Sequence, residues 1–280
     1  MPMENAYAKP FLRWAGGKNW FVKHLPKILG DLDYADYHEP FVGGGSVFFA
    51  LRPRHAYLSD ANEELIVAYS ALQSDPDGVI AQIEQWEVNE EQYYFVRSLD
   101  SNDNIVRSAR FIYLNRTSFN GIWRVNKSGQ YNVPYGHNDG YKFDFDRIRE
   151  ASVALKDATI RCCDYTESLK QVKKDDLVFI DPPYTVSHNN NGFIEYNKKL
   201  FSLNDQHELR RCIDGLIETG AYFILTNAAH ETVREIFDGI GSVVELNRHC
   251  GLGGKSARRQ SIGEFVFTNI PGALIGSNNE

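Results

Sequence analysis

Asp181-Pro182-Pro183-Tyr184 is the stretch of this chain whose residue types could do chemistry. Two successive prolines remove two backbone donors and fix two φ angles. The Asp181 carboxylate and the neighbouring carbonyls therefore face a rigid space without competing N–H groups, an acceptor-only pocket. Its natural occupant is a flat group bearing an NH2. The carboxylate and a prolyl carbonyl each accept one amino hydrogen, and the Tyr184 ring offers a face for stacking. An exocyclic amine on an aromatic ring is a poor nucleophile because its lone pair is delocalised. Two such hydrogen bonds turn that lone pair outward and favour the pyramidal transition state, so the site activates by orientation without a strong base. The competing reading is a strand-ending turn with Tyr184 as a packing residue. The apolar run before the motif and the aromatic that closes it favour chemistry.

Several elements must position this motif. Leu177-Val178-Phe179-Ile180, flanked by Asp175-Asp176, reads as a buried strand of a parallel sheet. The motif then sits at a strand's carboxyl end, where open α/β sheets bind ligands. Upstream, Tyr37 to Phe49 runs from a strand-like lead-in through Phe41, Gly43, Gly44 and Gly45 into a helix start. This is the first turn of a nucleotide-binding sheet, where missing side chains let the backbone approach a ligand. The glycines do not fit G-x-G-x-x-G, which disfavours a dinucleotide. Asp60, after His55-Ala56-Tyr57-Leu58, is placed for ribose hydroxyls, or as N-cap of the helix marked by Leu65, Ile66, Ala68 and Tyr69. Glycine loop and Asp60 together favour an adenosine-containing cofactor.

Earlier still, Trp14-Ala15-Gly16-Gly17-Lys18 precedes a helix-like pattern (Trp20, Phe21, His24, Leu25, Ile28). A Gly-Gly turn opening a helix would offer N–H groups and a positive dipole end to an anion, and an ordinary N-cap with a solvated lysine is the alternative. Ala158 to Tyr165 reads as a strand ending in Asp164, which either accepts from a cofactor amino group or caps the next helix. Phe193, Tyr196 and Phe201 could wall a base pocket. Ala221 to Asn227 is a further buried strand with polar residues at its end. Ser242–Leu246 and Phe265–Thr268 form a hairpin pair around a basic loop (Arg248, Lys255, Arg258, Arg259), a second phosphate contact.

The chain has 280 residues and a formal charge of −7, so any nucleic-acid surface must be local. Four cysteines without C-x-x-C spacing read as reduced thiols of a cytoplasmic protein, not as a zinc site. No apolar run approaches membrane-spanning length. Residues 72–103 are polar and acidic and read as surface helices. From Asn104 to Asn138 there is no Asp or Glu, and Arg107, Arg110, Arg116, Arg124 and Lys127 interleave with Phe111, Tyr113, Phe119, Trp123, Tyr131 and Tyr135. Such a stretch is the local footprint of a nucleic-acid surface. Asn126 to Gly129 reads as the turn of a hairpin, and a two-stranded ribbon fits the DNA major groove.

Trp14-Ala-Gly-Gly-Lys18, Pro40-Phe-Val-Gly-Gly-Gly-Ser46, Ser59-Asp-x-Asn62, Asn115 to Arg124 with Asn132 to Gly136, and Asp181-Pro-Pro-Tyr184, in that order, resemble the DNA adenine methyltransferase (Dam) family over nearly the whole chain. The resemblance implies a Rossmann-like α/β fold with a seven-stranded, mostly parallel sheet. Residues 1–70 and 151–280 would form the catalytic, cofactor-binding domain, and residues 71–150 an inserted target-recognition domain of helices and a β-hairpin. It further implies a site-specific, adenine-specific DNA methyltransferase acting on double-stranded DNA with S-adenosyl-L-methionine. Trp14, Lys18, Phe41, Gly43, Gly45, Asp60, Asp164, Tyr165 and Asp181 would surround that cofactor, and Asp181, Pro182 and Tyr184 would hold a flipped adenine. Arg13, Arg116, Phe119, Asn120, Ile122, Arg124, Asn126 and Pro134 would contact DNA, with Asn120, Ile122, Arg124 and Pro134 reading GATC. No metal is implied. Arg13 departs from the lysine of enteric relatives, and Trp123 from the smaller residues often found there. D-P-P-Y and its relative N-P-P-Y also occur in cytosine-N4, RNA and protein-glutamine methyltransferases. The rivals are therefore a methyltransferase for cytosine-N4 or RNA, and a non-catalytic DNA-binding module.

Overall fold

The computed structural model describes residues 9–126, 128–184, 201–249 and 261–273. After a 3-10 turn at Val22–His24 come α1 (Leu25–Leu29), β1 (Tyr37–Glu39), α2 (Ser46–Leu51), β2 (Ala56–Asp60) and α3 (Glu63–Ser74). Helices α4 (Pro76–Glu84), α5 (Glu90–Ser98) and α6 (Asn104–Thr117) follow, then α7 (Phe145–Leu155), β3 (Ala158–Cys162), α8 (Tyr165–Leu169) and β4 (Leu177–Ile180). The described chain continues with α9 (Leu203–Thr219), β5 (Tyr222–Ala228), α10 (Glu231–Ile236), β6 (Ser242–His249) and β7 (Ser261–Thr268). The strands make a seven-stranded, mostly parallel sheet, the mixed α/β fold the resemblance implies. None of the described helices is long and apolar enough to cross a membrane.

Two compact units divide the chain. The first comprises Met1–Asn19 and Val42–Cys163. In it β2 pairs parallel with β3, from Ala56 opposite Ala158 to Asp60 opposite Cys162. The helices start where short polar side chains satisfy their orphan N–H groups: Asn62 caps α3, Asp75 caps α4 with Pro76 behind it, Asn89 caps α5 and Asp103 caps α6. Helix α6 is buried on several sides, with Phe111, Ile112, Tyr113 and Leu114 all inside. The hairpin beyond it is held by antiparallel bridges at Val125↔Tyr131 and Ser118↔Tyr135.

The second unit comprises Trp20–Phe41 and Asp164–Glu280. Here β1 and β5 flank β4 in parallel, which explains why every residue of Leu177–Ile180 is buried. A buried contact from His38 Nε2 to Asp176 Oδ2 (2.9 Å) fastens β1 to the start of β4. Strand β7 then runs antiparallel between β5 and β6. Helix α9 opens on a capping box of Ser202 and Asp205, and Gly220, left-handed at φ 82°, ends it. Its Leu209, Ile213 and Leu216 lie on one face and enter the core with Val178, Ile180, Phe223 and Phe267. Each such burial stabilises by roughly 2 kcal/mol.

One expectation fails on the fold. Gly16-Gly17 does not open a helix, because the first helical turn begins at Val22 and is a 3-10 turn. Gly17 instead closes a tight turn by donating its N–H to the Trp14 carbonyl (3.1 Å). Lys18 is not solvated either; it is buried, with Nζ donating to the Gly16 carbonyl (3.0 Å).

Candidate active site and nucleic-acid interface

In the second unit, the carboxyl end of β4 delivers Asp181-Pro182-Pro183-Tyr184. The Thr226 hydroxyl, from β5, donates to Asp181 Oδ1 at 2.8 Å. The Tyr184 hydroxyl donates to Glu264 Oε2, from β7, at 2.6 Å. Both partners are fully buried. The Asp181 and Tyr184 side chains are thus each held at their far end by another strand, which fixes their rotamers. Sequence reading noted polar residues at the end of β5 but missed the contact Thr226 makes, and it missed Glu264 altogether. In the same unit Phe41 stacks on Tyr165 (ring centroids 5.2 Å) and meets Phe201 edge-on (5.8 Å). Asp164 is the N-cap of α8: its Oδ1 accepts from the Thr166 N–H (2.9 Å) and hydroxyl (2.7 Å).

In the first unit, the glycine loop closes around Trp14. Gly43 has φ 46° and Gly45 φ 66°, values glycine adopts without penalty. A Cβ on Gly43 would lie 2.7 Å from the Trp14 indole, and one on Gly45 2.7 Å from the Tyr69 hydroxyl. Gly43 is pinned at both ends. Its N–H donates to Asp60 Oδ2 (3.1 Å), and its carbonyl accepts from the Tyr69 hydroxyl (3.0 Å). Asp60 also accepts the Asn62 N–H through Oδ1 (2.9 Å). Burial pushes the Asp60 carboxyl above its usual value, while the N–H groups of Asn62, Gly43 and Ala61 pull it back. Asp60 does not cap α3; Asn62 does, accepting from Leu65.

The first unit also carries the recognition candidates. Asn115 is buried and accepts the Arg13 N–H (2.8 Å), while its amide donates to the carbonyls of Arg13 (2.7 Å) and Gly121 (3.2 Å). One side chain thereby brings the Arg13 segment against the turn that follows α6, a role its sequence position alone did not reveal. Asn120 and Gly121 are both left-handed, at φ 58° and 64°. Phe119 is 53% exposed, and Asn120, Arg124, Asn126 and Pro134 are exposed too. Ile122 is half-buried. Arg124 leans along the hairpin, its Nε donating to Asn132 Oδ1 (2.8 Å). Asn126 shapes the turn, its Oδ1 accepting from Ser128 and Gln130 N–H (2.9 Å each).

Much of the basic and aromatic stretch read as the local footprint of a nucleic-acid surface points inward. Arg107 is paired with Glu63 (2.9 Å) and Glu64 (2.6 Å) of α3. Arg110 donates to the carbonyls of Val96 and Arg97. Phe111, Tyr113, Tyr131 and Tyr135 are core residues, and Trp123 packs between Phe111 and Tyr131. Arg116 is half-buried and donates through Nε to the Phe11 carbonyl (2.9 Å). Burial, with Arg13 and Arg147 nearby, pushes its pKa down, and Tyr141 and Asp144 oppose this. A cavity of about 520 Å³ has Lys9, Arg13, Arg116 and Arg147 in its lining and no Asp or Glu. Phe193, Tyr196, Lys127, Lys255, Arg258, Arg259 and the Arg248 side chain lie outside the described residues.

Known proteins are similar to this chain over most of its length. A type II methyltransferase, M1.LlaDCHI of Lactococcus lactis subsp. cremoris, is 32% identical over 93% of this chain and 95% of its own length. The type II methyltransferase M.MjaIII of Methanocaldococcus jannaschii is 36% identical over 79% of this chain and 84% of its own. The DNA adenine methylase of Vibrio cholerae is 31% identical over 94% and 96%. The model of the D12 class N6 adenine-specific DNA methyltransferases matches residues 14–249, which include the glycine loop, the exposed turn after α6 and the Asp-Pro-Pro-Tyr motif, and the chain belongs to that family.

Proposed function

We propose that this protein is a site-specific methyltransferase of double-stranded DNA that methylates the N6 of a flipped adenine in GATC, with S-adenosyl-L-methionine as donor. The observation that carries the reading is Asp181, set at the end of a buried parallel strand with one carboxylate oxygen fixed by Thr226. A carboxylate held in this way presents its remaining lone pairs in a set direction, as an acceptor for an amino group must.

The first unit fits the donor. Gly43 leaves room beside the Trp14 indole that any Cβ would fill, and Asp60 stands at the end of β2 with lone pairs to spare for hydroxyl groups. Trp14, Lys18, Phe41, Gly43, Gly45, Asp60, Asp164, Tyr165 and Asp181 are the residues we assign to it. S-adenosyl-L-methionine, when bound, supplies an electrophilic methyl group. The chain's own residues then orient the acceptor: Asp181 and the Pro182 carbonyl accept the two amino hydrogens, and the Tyr184 ring stacks on the base. Asp181, or water beside it, takes the proton released from N6. A base is out of reach while stacked in the duplex, so it must leave the stack first.

Residues 71–150 serve target recognition in this reading. Arg13, Arg116, Phe119, Asn120, Ile122, Arg124, Asn126 and Pro134 face the DNA, which the basic cavity beside Arg13 supports by its charge. Work on DNA in turn places the enzyme in the cytoplasm with the nucleoid. Labelled methyl is expected in a GATC duplex, and in neither a duplex with both adenines N6-methylated nor a scrambled one. Label in the scrambled duplex as well would keep the chemistry and discard the GATC readout. No label in any duplex, with the cofactor bound, would move the acceptor to RNA or protein.

Arg124 is the residue assigned to guanine, and a bidentate contact to O6 and N7 discriminates by roughly 1–3 kcal/mol. Arg124→Ala is therefore expected to lower the ratio of GATC to one-base-changed duplexes by roughly 10- to 100-fold. Its affinity for S-adenosyl-L-methionine should stay as in the parent. Competition between the two duplexes in one reaction measures the ratio directly.

A further inference from the structure

We infer that Glu264 is a positioning residue for the reaction, acting through the hydroxyl of Tyr184 to set the plane on which the acceptor base stacks. The inference rests on the proposed function in one respect, that Tyr184 touches the acceptor.

Its geometry comes from the topology. Strand β7 runs antiparallel to β5, with Glu264 opposite Ala228 and Phe265 opposite Asn227. The first residues of β7 therefore reach the edge at which β4 and β5 end. Side chains alternate between the faces of a strand. Phe265 and Phe267 enter the core cluster with Phe223, Leu225, Val178 and Ile180. Glu264 and Thr226 consequently occupy the opposite face, the one on which Thr226 meets Asp181. Asp181, Thr226, Tyr184 and Glu264 thus form one patch of polar groups at the strand ends of this unit.

Glu264 is fully buried, in a strand whose next residues are Phe265, Val266 and Phe267. A carboxylate there is costly unless it is hydrogen-bonded. What the glutamate supplies is an acceptor 2.6 Å from the Tyr184 hydroxyl. Tyr184 is joined to the rigid Pro-Pro backbone at Cα. Fixing its hydroxyl as well removes the swing of the ring about its two side-chain torsions. A base stacked on a ring so held sits closer to the productive geometry, and preorganisation of this kind appears in the chemical step.

The test is a double-mutant cycle read by single-turnover methyl transfer. Wild-type protein is first given an adenine-containing duplex, an adenine-free duplex and an RNA, and the cycle is run on whichever accepts label. Label only on the adenine-free duplex or the RNA fails the adenine reading while the cycle still decides the role of Glu264. No label anywhere fails both. Glu264→Leu and Tyr184→Phe are each expected to slow transfer by roughly 10- to 100-fold, the range a hydrogen bond to a charged group spans. The doubly substituted protein should be no slower than Tyr184→Phe alone. Glu264→Gln, which keeps an acceptor, should recover most of the rate, and S-adenosyl-L-methionine affinity should hold throughout. If Glu264→Leu does not fold, Glu264→Gln decides: the weaker neutral acceptor must slow transfer by roughly two- to fivefold with Tyr184 present and have no effect in the Tyr184→Phe protein. Multiplicative effects in the double variant, or full rate in Tyr184→Phe, would overturn the inference.

Discussion

Replacing Asp181 with alanine is expected to slow methyl transfer by roughly 10²- to 10³-fold or more while leaving the protein folded and able to bind S-adenosyl-L-methionine within about tenfold of the parent. The separation follows from what surrounds the carboxylate. Its Oδ1 receives the Thr226 hydroxyl at 2.8 Å, and that hydroxyl also lies 3.5 Å from the Ile180 carbonyl. When the carboxylate goes, Thr226 turns to the carbonyl and keeps a partner, so the loss of this contact costs about 1 kcal/mol. Catalysis has no such substitute. Pro182 and Pro183 offer no N–H, and alanine offers no acceptor, so one amino hydrogen of the acceptor base loses its partner just as the nitrogen turns pyramidal. Removing one preorganised group aimed at a transition state typically costs about 10²- to 10³-fold in kcat. Asp181→Asn retains one acceptor oxygen and should keep measurable turnover. Rates from single-turnover assays and affinities from calorimetry separate the two effects. Full activity in the alanine variant would sink the mechanism, and loss of cofactor binding in step with activity would leave Asp181 a role toward the donor alone.

That the motif was legible at all reflects how local its signals are. Four apolar residues, two prolines and a tyrosine specify a strand, its end and a rigid turn without help from the rest of the chain. The glycine loop is legible for a similar reason, since Gly43 and Gly45 sit at backbone angles few other residues accept. The basic stretch after Asn104 failed the same treatment. It contains no acid in sequence, but α3 brings Glu63 and Glu64 onto Arg107 in space, and the carbonyls of α5 take Arg110. Charge counted along a chain does not know which charges are already paired. For Lys18 it is the alternative of a solvated lysine that fails, because the turn closes over it. Thr226 and Glu264 lie 45 and 80 residues from the side chains they hold. Such partners are set by strand order and register, which no local pattern encodes.

Gly43→Ala is expected to weaken binding of S-adenosyl-L-methionine by roughly 5- to 150-fold in a protein that still folds. Two costs combine. An alanine at φ 46° carries about 1 kcal/mol of left-handed strain, and its Cβ would stand 2.7 Å from both Cδ1 and Nε1 of Trp14. The loop cannot rotate out of the conflict, because the Gly43 N–H is held by Asp60 and its carbonyl by Tyr69. The indole must yield instead, and displacing a packed group in this way typically costs 1–3 kcal/mol. Without cofactor the indole can stay displaced, so thermal unfolding should register little beyond the strain. With cofactor, Trp14 must return, and the remaining cost appears as lost affinity. Gly16→Ala isolates the second cost: it is also left-handed, at φ 81°, but nothing lies within 4 Å of where its Cβ would be. Gly16→Ala should thus match Gly43→Ala in unfolding and differ from it in binding. Equal affinities in the two variants would mean that Trp14 takes no part in holding the donor, and the cradle between the glycine loop and the indole would lose its assigned purpose.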